Sequence, residues 1–214
     1  MKYPYVFVFA LLISVSLYSQ NKFKKAIFKN GNPNVVLADL FNELTGIQNK
    51  GNGTIIVSFT LTKNGEITKI HPLQFDTQKN AINAILAIQK TSKLWSSTFI
   101  NGLATSHKYK IAYSFISPNS SYEMDVKMAA KFSEKKMFKK ALKYYNRAVD
   151  VNKNEASLYL SRAEVKLALN DMDGLKSDLT MCKKLQNEYL ANVLLTGFQS
   201  NKNKKLTYIN KEKK

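Results

Sequence analysis

Two stretches of strict alternation constrain this chain most. In the first, Ile55, Val57, Phe59 and Leu61 point one way, and Thr54, Ser58, Thr60 and Thr62 point the other. In the second, Tyr109, Ile111, Tyr113 and Phe115 alternate with Lys108, Lys110, Ala112 and Ser114. A period of two puts apolar side chains on one face of a pleated strand, so both segments read as half-buried strands. After the first comes Lys63-Asn64-Gly65-Glu66. Asn-Gly tolerates the positive φ of a tight hairpin, so the chain turns back on itself there. The odd spacing of Ile67 and Ile70 predicts a bulge in the return strand, and Pro72 is expected to limit its pairing.

Helical spacing frames these strands. Val36, Leu37, Leu40, Phe41 and Leu44 predict a helix capped by Asn34, broken at Gly46 and the Asn49–Gly53 stretch. Asp76 or Thr77 caps a second helix, whose expected buried stripe is Ala81, Ile82, Ile85, Leu86 and Ile88. Trp95 opens an extended stretch and Asn101-Gly102 marks a turn. The order helix, strand, strand, helix, strand gives an α+β domain over residues 22–116, a small sheet with helices on one face.

Gly53 to Ile67, with its alternating strand, Phe59 and Asn64-Gly65 turn, resembles the C-terminal domain of TonB-family proteins. The helix Ala81–Ile88, Trp95, Gly102 and the aromatic strand ending at Phe115 follow in the family's order. In that family an exposed sheet edge takes up an extended peptide as an added strand. The resemblance therefore implies a binding edge at Lys108, Tyr109, Lys110, Ile111, Ala112, Tyr113, Ser114 and Phe115. The same lysines would also guard an ordinary edge against aggregation.

Ser117–Ser121 reads as a linker, after which the pattern turns helical. Ala129 recurs as Ala163, Ala141 as Leu175, Tyr145 as Leu179 and Ala148 as Cys182, a period of 34 residues. Lys140–Val149, Ala156–Leu169 and Met172–Leu185 resemble helices of tetratricopeptide repeats. The resemblance implies an all-α helical-hairpin domain over residues 122–199, with Tyr145 and Leu179 filling the gaps between hairpins. Its concave face would carry Glu123, Val126, Ala130, Ser157, Leu160 and Glu164. Two repeats need a cap, and Glu188–Phe198 is expected to supply a closing helix. Residues 200–214 read as a basic, mobile tail. Asp171-Met172-Asp173-Gly174 looks like a fragment of a calcium loop but lacks its remaining ligands, so a turn is expected.

Met1-Lys2, the apolar run Tyr5–Leu17 and small Ser19 form a secretory signal peptide over residues 1–19. The run is shorter than the roughly 20 residues of a membrane span, so no span is expected in the mature chain. No cysteine follows it, which argues against a lipoprotein anchor. Export to the periplasm is expected, with secretion as the alternative. Energy transducers of the TonB family keep a membrane anchor and a long Pro-rich spacer. Here the domain follows the leader almost directly, which favours a free binding module over a divergent energy-transduction component.

The formal net charge is +18, nearly all of it lysine, with Arg147 and Arg162 the only arginines. Specific nucleic-acid readers lean on arginine, so no nucleic-acid partner is expected. A lysine-rich surface can touch anionic surfaces peripherally, which leaves a basic envelope-surface or polyanion binder as the alternative function. The single cysteine, Cys182, forms no internal disulfide and is expected to be a buried thiol. No catalytic motif, metal set or cofactor motif is legible. The expected function is a non-catalytic adaptor of the cell envelope with a protein or peptide partner. Intact-mass measurement of the protein recovered from expressing cells should give an N-terminus near Gln20; a chain beginning at Met1 would contradict export by cleavage.

Overall fold

In the computed structural model, residues 22–45, 53–117 and 119–196 are described. The signal peptide, the breaker at 46–52 and the basic tail lie outside them. A mixed sheet-and-helix domain is followed by a helical region of hairpin-like helix pairs.

The strands are β1 (Phe23–Lys24), β2 (Gly53–Leu61), β3 (Ile67–Gln74), β4 (Thr98–Ile100), β5 (Leu103–Thr105), β6 (His107–Ile116) and β7 (Tyr189–Thr196). The helices are α1 (Pro33–Thr45), α2 (Gln78–Gln89), α3 (Tyr122–Glu134), α4 (Phe138–Val151), α5 (Ala156–Ala168) and α6 (Met172–Glu188). The main sheet runs β3-β2-β6-β7, and a small second sheet runs β1-β4-β5.

The alternating residues do what their period dictates. Ile55, Val57, Phe59 and Leu61 are fully buried and lie opposite Tyr113, Ile111, Tyr109 and His107 on β6. Leu37 and Phe41 of α1 and Ala84, Ala87 and Ile88 of α2 close this core together with Trp95. The hairpin turns at Gly65, whose φ is +79°. A side chain there would also run into the backbone carbonyl of Trp95, 2.3 Å from the added carbon. The bulge falls where Ile67 and Ile70 place it, between the Ser58–His71 and Thr60–Thr68 pairs, with Lys69 at φ 48°.

Four local expectations are corrected. Asn32, not Asn34, caps α1: its Oδ1 accepts from the Asn34 amide at 2.9 Å, and Pro33 takes the first helical position, which needs no amide. Pro72 does not stop β3, because β3 is an edge strand and a second register shift falls at this point. On α2 the small residues Ala81, Ala84 and Ala87 face inward, while Ile82 and Leu86 are exposed. The closing helix over Glu188–Phe198 is not formed: α6 ends at Glu188 and Tyr189–Thr196 is strand β7.

That strand organises the molecule. β7 pairs parallel with β6, so α3–α6 together form the crossover that parallel neighbours require. Leu190, Ala191 and Val193 join the sheet-domain core, and α1 packs against β7. From the helical array, α6 packs against β6 and β7. Ile116 of β6 belongs to the helical core with Tyr122, Tyr145 and Leu185. A polar cluster seals the junction. Buried Asn152, after α4, receives a hydrogen bond from Ser114 of β6 (3.3 Å), and Asn192 of β7 donates to Glu155 before α5 (3.1 Å).

Val193 has no exposed surface. Val193→Asp buries an unpaired carboxylate and should cost about 3 kcal/mol or more. Because β7 belongs to the sheet and ties down the helices, urea unfolding followed by tryptophan fluorescence and by helical circular dichroism should shift together. A shift in fluorescence alone would mean that the helices stand independently of β7.

Candidate functional site

The expected strand edge is not an edge. β6 lies between β2 and β7, and β7 covers it from Lys110 to Ile116. Tyr109, Ile111, Tyr113 and Phe115 are buried in the sheet core, and burial pushes the Tyr109 and Tyr113 hydroxyls up in pKa. Ala112 and Ser114 are buried on the other face. Lys108 is exposed. Lys110 is partly buried, paired with Glu188 at 2.7 Å and set over the Tyr189 ring. The unpaired backbone on which a peptide-binding edge depends is thus satisfied by the chain's own β7. Sequence reasoning missed this because Leu190, Val193 and Leu194 suit a helical stripe as well as a short strand buried by its neighbours.

The residues assigned to the helical face are placed differently. Glu123 and Ala130 on α3, and Ser157, Leu160 and Glu164 on α5, are exposed, and Val126 is half-buried. Positions 34 apart occupy equivalent places on successive hairpins, so Glu123 matches Ser157, Val126 matches Leu160 and Ala130 matches Glu164. Glu134 on α3 and Leu167 on α5, which the sequence reading did not include, are also exposed, Leu167 by 56%, but the 34-residue register matches Glu134 with Ala168 and Leu167 with Ser133.

Packing behind this face explains why it points outward. Ala129, Ala141, Ala148 and Ala163 are fully buried, so α3 lies close on α4 and α5 close on α6. Tyr145 fills the gap between hairpins, whereas Leu179 is 44% exposed, because no further hairpin follows α6 to cover it. Cys182 is buried, and burial raises its thiol pKa. Asp171 caps α6 by accepting from the Gly174 amide at 2.9 Å, so that motif makes a helix start. Among the described residues, no group of His, Cys, Asp and Glu is placed to hold a metal ion. No helix among them is long and apolar enough to cross a membrane.

Two buried carboxylates lock the helices. Asp125 on α3 accepts from Ser121 at 2.6 Å and lies 3.1 Å from Arg147 on α4. Asp178 on α6 receives two bonds from Arg162 on α5, from Nε at 2.8 Å and from Nη2 at 2.7 Å, and lies 3.0 Å from Lys166. Arg162 also donates to Asn146 on α4 at 3.1 Å, so one guanidinium ties three helices. Burial works to raise the Asp178 pKa, yet Arg162 and Lys166 hold it below its ordinary value of 3.8. A carboxyl depressed in the folded state adds stability that is whole well above 3.8 and is lost as pH falls through the folded value. Asp178→Ala should cost about 3 kcal/mol at neutral pH by leaving Arg162 without its acceptor. Its urea midpoint should also fall less than the parent's on acidification below the ordinary carboxylate range; parallel pH profiles would contradict the assignment.

No family model matches the chain, and no curated protein or solved structure matches it. What sequence and geometry together support is a mixed sheet-and-helix domain carrying helical hairpins, with Glu123 and Ala130 exposed on α3 and Ser157, Leu160 and Glu164 exposed on α5.

Proposed function

We propose that this chain is an exported, non-catalytic adaptor of the bacterial cell envelope that binds a protein or peptide partner on the α3/α5 face. The hairpins are read as tetratricopeptide-like and the sheet as a TonB C-terminal-like domain, in which the family's strand-addition edge at Lys108–Phe115 is filled in cis. The observation that carries the reading is the exposure of Leu160 and Leu167 on α5, a helix whose opposite side is packed in the core through Leu158, Ala163 and Val165. Apolar side chains rimmed by polar ones are the usual makeup of a binding patch. The non-catalytic reading is supported by the two histidines, His71 on β3 and His107 on β6, around neither of which a nucleophile–base arrangement is legible among the described residues.

The charge of +18 favours a second reading, attraction of the lysines to an anionic envelope polymer or lipid surface. The two differ in salt dependence. In affinity capture from envelope extracts, the full chain should retain a partner at high salt. Leu160→Asp/Glu164→Lys, verified as folded by circular dichroism, should weaken that partner at least about tenfold, or 1.4 kcal/mol. Binding that disappears in moderate salt and ignores these substitutions would favour the polyanion reading and sink the adaptor.

A further inference from the structure

The main sheet has two border strands, β3 and β7, and they differ in how they meet a further strand. β3 carries Pro72, two register shifts and exposed Lys69, which discourage pairing. β7 carries no such device past its start. From Leu190 to Thr196 it has no charged residue, no proline and no glycine, in a chain with 33 lysines and arginines. Its one register shift lies between Lys110 and Ile111 of β6, opposite its first residues.

β7 is also open on one side. β6 pairs with it from Lys110 to Ile116, and no strand pairs with its other edge. Among the described residues, the backbone from Leu190 to Thr196 makes no hydrogen bond other than those to β6. Val193 is fully buried in its own core, while Leu194, on the opposite face of the strand, is 37% exposed. A free row of amides and carbonyls with apolar neighbours is a template for another strand.

We propose that the free edge of β7 pairs antiparallel with β7 of a second copy of this chain, joining two four-stranded sheets about a two-fold axis. A two-fold axis sets identical strands antiparallel, and the pair closes. Pairing of β7 with β3 of another copy would be head-to-tail, and Pro72 and Lys69 oppose it. A register centred on Val193 opposes Ala191 to Leu195 and Asn192 to Leu194, and sets the two Leu194 side chains on a diagonal. It places no lysine against a lysine, so this border is where a like-charged copy can approach a chain of net charge +18. Repulsion between the rest of the two copies remains, and salt screens it beyond about 10 Å at roughly 0.1 M. Salt therefore strengthens the dimer, opposite in sign to attraction toward a polyanion.

Sedimentation equilibrium of the full chain, from low micromolar to near-millimolar protein, should show monomer and dimer in exchange, with the dimer favoured as salt is raised. Hydrogen–deuterium exchange read by peptide mass spectrometry should slow over Leu190–Thr196 as protein concentration rises, while β3 amides stay unchanged. Leu194→Lys places at an exposed position the guard that β7 lacks, and should weaken the dimer at least about tenfold with helical circular dichroism retained. A chain monomeric throughout, a dimer whose β7 amides exchange as fast as the monomer's, or a dimer that ignores Leu194→Lys would each overturn the pairing. If that variant fails to fold, exchange on the parent chain decides. Leu160→Asp/Glu164→Lys should leave the dimer intact whether or not it releases the envelope partner, so the adaptor reading and the edge pairing fail separately. A dimer that those substitutions dissociate would be held by the helices and would overturn the pairing.

Discussion

The parallel pairing of β7 with β6 is the interaction on which the rest depends. A strand that follows four helices and returns beside β6 makes those helices a crossover, and a crossover must lie against the sheet it bridges. The helical hairpins are therefore held against the sheet, through α6 on β6 and β7, and do not hang from a linker. Their solenoid problem is reduced in the same stroke. Two hairpins bury too little apolar surface alone, and here the sheet residue Ile116 and partly buried Tyr189 of β7 extend their core.

The polar groups at this junction specify it. Burying Ser114 and Asn152, and partly burying Asn192, gains little energy by itself, because their hydrogen bonds replace bonds to water. Leaving any of them unpaired is costly, so a slip of β7 by one residue is penalised twice. It would turn Val193 out of the core and strand Asn152 and Glu155 without Asn192. The same logic holds inside the second hairpin, where Arg162 satisfies Asp178 and Asn146 together, so that α5 has one position between α4 and α6.

Much of this was legible in the residues. The alternation of Ile55 to Leu61 and of Tyr109 to Phe115, the turn at Gly65, the bulge after Ile67 and the recurrence of small residues at Ala129 and Ala163 are local or periodic signals, and each marks its element. What escaped the sequence depended on partners distant in the chain. Leu190 to Leu195 has apolar residues at spacings common to helix and strand, and only the open side of β6, nearly 80 positions earlier, decides between them. Ile82 and Leu86 belonged to the expected stripe by hydrophobicity, but close approach of α2 to the sheet selects alanines for the inner face. For the candidate site, Glu123, Leu160 and Glu164 were read from register and are exposed, while the edge residues Lys108 to Phe115 were correct as a strand and misassigned as accessible. Accessibility belongs to topology, which no local pattern encodes.

The filled edge also separates resemblance from role. For a partner to add a strand at β6, it would have to evict β7, and β7 contributes Leu190, Ala191 and Val193 to the core. Losing the burial of Leu190 and Val193 forfeits roughly 1.5–3 kcal/mol for each, before the Ser114–Asn192 and Asn192–Glu155 bonds are counted. An incoming peptide regains the backbone bonds but must match those side chains and offset the loss of its own freedom. Of the sheet's two border strands, β3 and β7, β3 carries Pro72, two register shifts and exposed Lys69, devices that discourage pairing. With β6 filled and β3 guarded, the proposed binding surface rests on the helices, where Leu160 and Leu167 of α5 are exposed.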